Sequence, residues 1–345
     1  MLTIGLDAAH MRQAAAGIAR YADGLARALR ERGDTAVIEL GGGPLVARDS
    51  LRRKFLSLKQ DLVWYPLAAL RRARQEGAQV YHSPLLRGPL SPGAIPVVLT
   101  VHDMVPSRWP QTMPRWHRLY TSVLMRRILA TADRVITPSQ DTAKDVVEFG
   151  GVKAEKLRVV PNGIDAMFFD DHPAVAGLGT PYVLFVGTPE PRKNLPRLVE
   201  AMSFVRSRDA SYRLVIAGGG GWGLRLALPD FIDVRGRVHD EELRSLYAGA
   251  ACLALPSLHE GFGLPALEAM ACGTPVVASD RGALPEITGG AAVLVDALDP
   301  RSIANGIERA IDERGALVSA GKAHAQSYTW ERTAALTREV YRELV

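Results

Sequence analysis

Short, continuously apolar runs separated by helix-length segments recur along the whole chain, in two series. Leu2-Thr3-Ile4-Gly5-Leu6, Ala36-Val37-Ile38, Gln79-Val80-Tyr81, Val97-Val98-Leu99-Thr100-Val101, Arg134-Val135-Ile136 and Arg158-Val159-Val160 form the first. Tyr182-Val183-Leu184-Phe185-Val186-Gly187, Arg213-Leu214-Val215-Ile216-Ala217, Ile232-Asp233-Val234, Ala251-Cys252-Leu253-Ala254-Leu255, Pro275-Val276-Val277-Ala278 and Ala292-Val293-Leu294-Val295 form the second. Runs without alternation suit strands covered by helices on both faces, the condition of a parallel sheet. Between the series, residues 170–181 are rich in proline, glycine and polar side chains and suit a linker. The pattern predicts two doubly wound α/β domains, 1–169 and 170–329, with a last helix in 330–345 packing back on the first. Ligands of such sheets sit at the carboxyl ends of the strands, so a cleft between the domains is the expected site.

At 345 residues the chain exceeds one ordinary core, and 47% hydrophobic with 23% charged residues excludes a wholly disordered polymer. The N-terminus carries no basic and apolar leader, and no run reaches the roughly 18 apolar residues of a spanning helix. A cytoplasmic protein is expected, with Cys252 and Cys272 as core thiols. Charge divides unevenly. Residues 1–165 hold 24 Lys and Arg against 15 Asp and Glu, for +9, and residues 166–345 hold 18 against 22, for −4. Two surfaces with different partners follow.

The segment from Pro256 to Ser279 carries the chemistry. It leaves an apolar run, crosses a loop with two glycines and enters a helix at Pro265, a residue suited to a first turn. Glycine lets the amides of Gly261, Phe262, Gly263 and Leu264 approach a ligand, and a helix N-terminus favours an anion such as a diphosphate. Glu260 stands before the loop, and Glu268, expected in the first turn, is placed to accept bonds from sugar hydroxyls. Neither acid has the spacing of a metal site. Upstream, Gly187-Thr188-Pro189-Glu190-Pro191-Arg192-Lys193-Asn194 ends a strand in a loop with two cations, which a leaving nucleoside diphosphate needs as its charge develops.

The first of these segments resembles the E-x7-E signature of retaining glycosyltransferases of the family 4 type, which have the GT-B fold of two Rossmann-like domains. Both glutamates and Gly-Phe-Gly-Leu match as they stand. The resemblance covers essentially the whole chain and is sharper in its second half. It implies a hexosyltransferase that needs neither metal nor cofactor, its nucleotide-sugar being a substrate. The family usually has Arg directly after the glycine at 187; Thr188 stands there, so Arg192 joins Lys193 as the candidate diphosphate ligand. The form Thr-Pro-Glu-Pro-Arg-Lys-Asn resembles mannosyltransferases that use GDP-mannose. The resemblance further implies that the backbone at Val238 meets the base, with Asp240 as a capping residue in the plainer reading. It implies that His102 points at the donor sugar with Asp103 shaping its surroundings, that Gly17 belongs to a loop near donor or acceptor, and that Val160–Asp165 is a hinge. Asp170-Asp171 is not expected to hold a metal.

Residues 48–74 mix Arg48, Arg52, Arg53, Lys54, Lys59, Arg71, Arg72 and Arg74 with Trp64 and Tyr65. Residues 108–127 mix Arg108, Arg115, Arg118, Arg126 and Arg127 with Trp109 and Trp116. Such mixtures suit an anionic membrane surface or a lipid-linked acceptor; no nucleic-acid motif accompanies them. The expected partners are therefore a GDP- or UDP-linked sugar, a glycan or lipid-linked acceptor, and peripherally the membrane's inner face. A GT-B phosphorylase or epimerase, or a nucleotide-sugar-binding protein without turnover, are the alternatives.

Overall fold

The computed structural model describes residues 1–8, 16–41, 60–108, 124–170, 179–219 and 229–345. The chain divides into two compact units, Met1–Gly163 with Thr329–Val345, and Ile164–Tyr328.

The first unit holds β1 (Leu2–Asp7), β2 (Thr35–Leu40), β3 (Val80–Ser83), β4 (Val97–Thr100), β5 (Arg134–Thr137) and β6 (Leu157–Val159) in one sheet ordered β2-β1-β3-β4-β5-β6. Every pairing is parallel, with Ile4 opposite Val37 on one side and Val80 on the other. β3 and β4 are buried throughout, which is why their sequences show no alternation. One face of the sheet packs Ile4, Val80, Val98 and Ile136 against Tyr21, Leu25 and Leu29 of the helix Ala16–Glu31 and Trp330, Val340 and Tyr341 of the helix Trp330–Arg342. Each such fully buried aliphatic or aromatic side chain contributes about 1.5–3 kcal/mol. Local signals set the ends of the helix Gln140–Gly150: Ser139 accepts from Thr142 N at 3.1 Å, and Gly151 closes it in the left-handed conformation.

The second unit holds β7 (Tyr182–Val186), β8 (Arg213–Ala217), β9 (Ile232–Gly236), β10 (Cys252–Leu255), β11 (Val276–Ser279) and β12 (Val293–Val295), ordered β12-β11-β10-β7-β8-β9 and again parallel. The chain winds outward from β7 to β9, returns to β10 beside β7, and winds outward the other way. The loops after β7 and β10 therefore diverge at a topological switch point. Cys252 and Cys272 are free thiols that burial pushes up to about 12.

Two expectations change. The chain passes from the first unit to the second at Gly163, six residues before the composition places it, because Ile164 and Phe168 are buried in the second unit's core and Ile164 N bonds Tyr328 O at 3.0 Å. Glycine is required at 163: a Cβ there would stand 2.4 Å from Trp330 N of the returning chain. The second change concerns Trp64 and Tyr65, read as interfacial aromatics. Trp64 Nε1 donates to Asp7 at 2.8 Å, and Tyr65 is 2% exposed beside Leu85, so both face inward. Trp109 and Trp116, together with residues 48–59 and 115–118, lie outside the described residues.

Candidate functional site

In the second unit, β7 runs out at Val186 into Gly187 and a 3-10 turn, Pro191–Lys193, which delivers two cations before the helix Leu195–Arg208 begins. β10 runs out at Leu255 into residues 256–263 and the helix Leu264–Ala271. The two loops are joined by backbone, Leu258 N donating to Arg192 O at 2.7 Å. Across this junction lies an ion cluster. Lys193 Nζ and Ser257 Oγ both donate to Glu260 Oε1, the serine at 2.7 Å, and Arg192 Nη1 donates to Glu260 Oε2 at 3.0 Å. Arg192 also reaches His259 O at 3.3 Å and, through Nε, Glu190 at 3.1 Å.

Lys193 and Glu260 are 8% and 7% exposed, a depth at which an unpaired charge is untenable. Burial alone would raise the Glu260 carboxyl. The charges of Lys193 and Arg192, with the bonds from Lys193 and Ser257, outweigh it and hold the group down at about 2. Glu260 is therefore an anion at neutral pH, held between two cations and tied by its own carbonyl to Ala283 N at 3.0 Å.

Glu268 lies past the first turn, being the fifth residue of a helix that starts at Leu264; it is 2% exposed and accepts from the Tyr247 hydroxyl at 2.9 Å. Gly263 precedes that helix at φ +106°, a conformation that side chains rarely adopt. Phe262 is 6% exposed with its ring against Tyr328, and Leu264 and Val238 pack on the same core. Those three side chains are structural, leaving their backbone and that of the buried Gly261 to meet a ligand. His239, not Asp240, takes the capping position of the helix Asp240–Gly249. Asp170 faces Arg244 at 3.6 Å, and Asp171 lies outside the described residues.

In the first unit, His102 follows β4. Its Nε2 donates to Pro84 O at 3.1 Å, and its ring packs T-shaped against that of Tyr21, 4.7 Å between centroids. Burial lowers its pKa, against the Pro84 bond and the Asp103 charge, so the imidazole is neutral with Nδ1 bare. Asp103 also accepts from Val105 N at 3.2 Å, fixing the turn that follows. Gly17 is exposed in the first turn of its helix, with open space where a Cβ would stand; the loop before it, 9–15, lies outside the described residues.

The structure thus brings Arg192, Lys193 and Glu260 together and sets Gly261, Phe262, Gly263, Leu264 and Glu268 along one loop and helix. Sequence reasoning missed Ser257, Tyr247 and Asn194. Asn194 is the one non-glycine residue at positive φ among the described residues. Its Nδ2 donates to Pro256 O at 3.0 Å and Ala297 O at 2.6 Å, tying the cation-bearing turn to the loops after β10 and β12. An Asn next to a helix-entering Leu-Pro was the available signal, since Asn tolerates the left-handed region.

Comparison with known proteins agrees with this geometry. The family model described as Glycosyltransferase Family 4 matches residues 15–168, and that described as Glycosyl transferases group 1 matches residues 180–313. The O-antigen chain mannosyltransferase B of Escherichia coli is 28% identical over 316 residues, 85% of this chain and 82% of the relative. The MMP alpha-(1->4)-mannosyltransferase of Mycolicibacterium hassiacum is 32% identical over 273 residues, and the match spans 72% of this chain and 66% of that enzyme. Among solved structures, Anabaena HepE in complex with UDP and glucose superposes with a TM-score of 0.73 at 18% identity, covering 100% of both chains. With both halves matched in order and the GT-B pair of parallel sheets in place, the chain belongs to the family 4 glycosyltransferases.

Proposed function

We propose that the chain is a retaining, metal-independent hexosyltransferase, with mannose favoured, that takes its sugar from a GDP- or UDP-linked donor and places it on a glycan or lipid-linked acceptor. The observation that carries this reading is the convergence of Lys193 and Arg192 on Glu260 at the switch point of the second sheet, beside the glycine loop at a helix N-terminus. As the bond from the anomeric carbon to the diphosphate oxygen breaks, the departing group gains negative charge. Two cations and the amides of residues 261–264 stabilise it in place. The acceptor oxygen bonds the same face of that carbon, and its proton goes to the departing diphosphate. Glu260 holds donor-sugar hydroxyls, Glu268 the ribose, and the backbone at Val238 the base. His102 keeps the duty the resemblance assigns to it, orientation of the donor sugar. Ordered groups and closure over the substrate exclude water.

The names of the two mannosyltransferase relatives support mannose, and the UDP and glucose bound to HepE support a nucleotide-sugar. For the acceptor, the helical stretch Gln60–Gln75 exposes Val63 (45%) and Leu67 (68%) along with Arg71, Arg72 and Arg74, a surface suited to an anionic membrane. No helix among the described residues is long and apolar enough to cross one.

The test is a panel of GDP- and UDP-sugars with nucleotide release followed with and without inorganic phosphate, in the presence of EDTA. GDP release from GDP-mannose, unaffected by EDTA and abolished in Glu260→Ala, is the expected result, with the anomeric configuration kept in the product. Release that depends on phosphate would make the protein a phosphorylase, and binding without release a carrier. Co-sedimentation with anionic liposomes at low salt checks the membrane contact, which fails if the protein stays in the supernatant.

A further inference from the structure

A chain of buried hydrogen bonds in the first unit lies outside the chemistry above, yet it ends on His102. The Tyr341 hydroxyl, carried by the helix Trp330–Arg342, bonds His82 Nδ1 at 2.6 Å. His82 Nε2 meets Thr100 Oγ1 at 2.8 Å, and the same oxygen meets the Tyr21 hydroxyl at 2.9 Å. All four side chains are at most 1% exposed. The Tyr21 ring then packs T-shaped against the His102 imidazole, centroids 4.7 Å apart and planes at 79°.

The chain is uncharged. Burial, the largest cause, with repulsion from His102 wherever that ring is protonated, lowers His82 to about 3, so at neutral pH one ring nitrogen donates and the other accepts. Burial keeps the Tyr21 and Tyr341 phenols protonated. Each member therefore has a directional partner that water cannot replace, and losing one hydroxyl leaves the next group unsatisfied. His102 is gripped from two sides: Pro84, two residues beyond His82, takes Nε2–H, and Tyr21 covers the ring. Without its hydroxyl bond Tyr21 would be held by packing alone, with Trp330 at 6.1 Å between ring centroids and the aliphatic side chains of the same core.

We propose that Tyr21 is a positioning residue for His102 and that the Thr100–His82–Tyr341 chain fixes it, so that the returning C-terminal helix sets the orientation of the imidazole. The proposal rests on His102 acting on the donor sugar. A reacting group displaced by about 1 Å costs up to about 100-fold in rate, so a small rotation of the ring is measurable.

The experiment uses the full chain and two hydroxyl deletions, Tyr21→Phe and Tyr341→Phe, with Tyr21→Leu to remove the ring. Imidazole nitrogen resonances report His102 directly, and turnover of GDP-mannose, or whichever donor the panel selects, reports function. Each hydroxyl deletion is expected to shift the His102 resonances and to lower kcat about tenfold with the donor KM within about twofold. Tyr21→Leu should also raise the His102 titration midpoint toward the ordinary imidazole range, because it opens the ring to water. Unchanged His102 resonances in both hydroxyl deletions would overturn the proposal, as would a loss of rate matching only the loss of folded protein. His102→Ala separates the two levels: parental turnover in that variant would refute the assignment of His102, whereas the resonances judge the positioning chain either way.

Discussion

The two units each bury a polar cluster near the carboxyl ends of their strands, and the cluster around Glu260 differs in electrical character from the one that reaches His102. The second unit uses charge: Glu260 between Lys193 and Arg192. The first also buries a carboxylate, Asp7 at the end of β1, but the network that reaches His102 is made of neutral groups: His82, Thr100, Tyr21 and Tyr341, joined by bonds of 2.6 to 2.9 Å. Charge suits a site whose ligand changes its own charge during reaction, and neutral bonds suit a site that must hold geometry. The difference predicts that the units respond differently to substitution and to acid.

The largest effect is expected at Glu260. Replacing it with Ala leaves Lys193 buried without its carboxylate, which costs about 3–5 kcal/mol of stability and, through the lost alignment of both cations, about 10³ in kcat/KM. Urea unfolding and donor turnover measure the two. Glu260→Gln with Lys193→Met removes both charges, so it should recover most of the stability and none of the activity. Recovery of activity in that double variant would break the contrast between the units, since charge would then be dispensable in the second.

Acid should loosen the first unit before the second. His82 in the folded state sits at about 3, below its ordinary 6.5. Above pH 6.5 both folded and unfolded imidazoles are neutral and nothing changes. As pH falls below 6.5 the unfolded chain takes up a proton that the folded one refuses, so stability declines until about pH 3. By pH 5 the loss is about 2 kcal/mol, and His102, also lowered, acts in the same direction. Glu260, lowered from 4.5 to about 2, contributes stability that is present above pH 4.5 and is lost between there and about pH 2. Hydrogen exchange at pH 7 and pH 5 should therefore show protection falling first in β3 and β4. In His82→Gln the pH dependence should flatten although the variant is less stable at pH 7. Equal loss in both units at pH 5 would contradict this order.

Much of the fold was legible because strands buried on both faces cannot alternate, and all twelve proposed strands are present with small shifts at their ends. The ion cluster was legible only in part. Lys193, Arg192 and Glu260 were singled out, but that Glu260 itself holds both cations depends on loops 67 residues apart meeting at a switch point, which local spacing does not encode. The neutral network was not legible at all. Tyr21 and Tyr341 fall at core spacing in amphipathic helices, and His82 inside an apolar run reads as one more buried position. Asn194 lies between these cases. Asn194→Gly keeps the left-handed backbone and removes the bonds to Pro256 and Ala297. It should weaken nucleoside diphosphate binding about tenfold, roughly 1.4 kcal/mol, with Asn194→Ala worse because it adds backbone strain. Calorimetry with GDP and UDP measures both, and equal affinities in Asn194→Gly and the parent would show that the turn holds its cations without the tie.

The smallest effect sharpens the comparison most, because it sets two carboxylates lowered to the same value in different surroundings. Glu343, near the end of the chain, accepts from Arg158 and Arg134 at 2.6 to 2.8 Å; the Arg158 bond first, with the Arg134 bond and both charges, overcomes slight burial and holds it at about 2, as low as Glu260. Its side chain is 33% exposed, however, where that of Glu260 is 10%. Water and salt therefore screen the Glu343 pairs, and their worth is less than about 1 kcal/mol. Glu343→Gln is expected to lower the unfolding free energy by that amount or less at pH 7 in low salt, and by nothing measurable at about 0.5 M salt. Like Glu260, Glu343 stabilises above the ordinary carboxylate range and loses its contribution as pH falls from 4.5 toward 2, so the two add in acid and separate only in salt. A Glu343→Gln penalty that persists at high salt would mean that the returning helix is bonded to β5 and β6 by a dry ion pair, and the distinction between a screened carboxylate at Glu343 and a buried one at Glu260 would no longer hold.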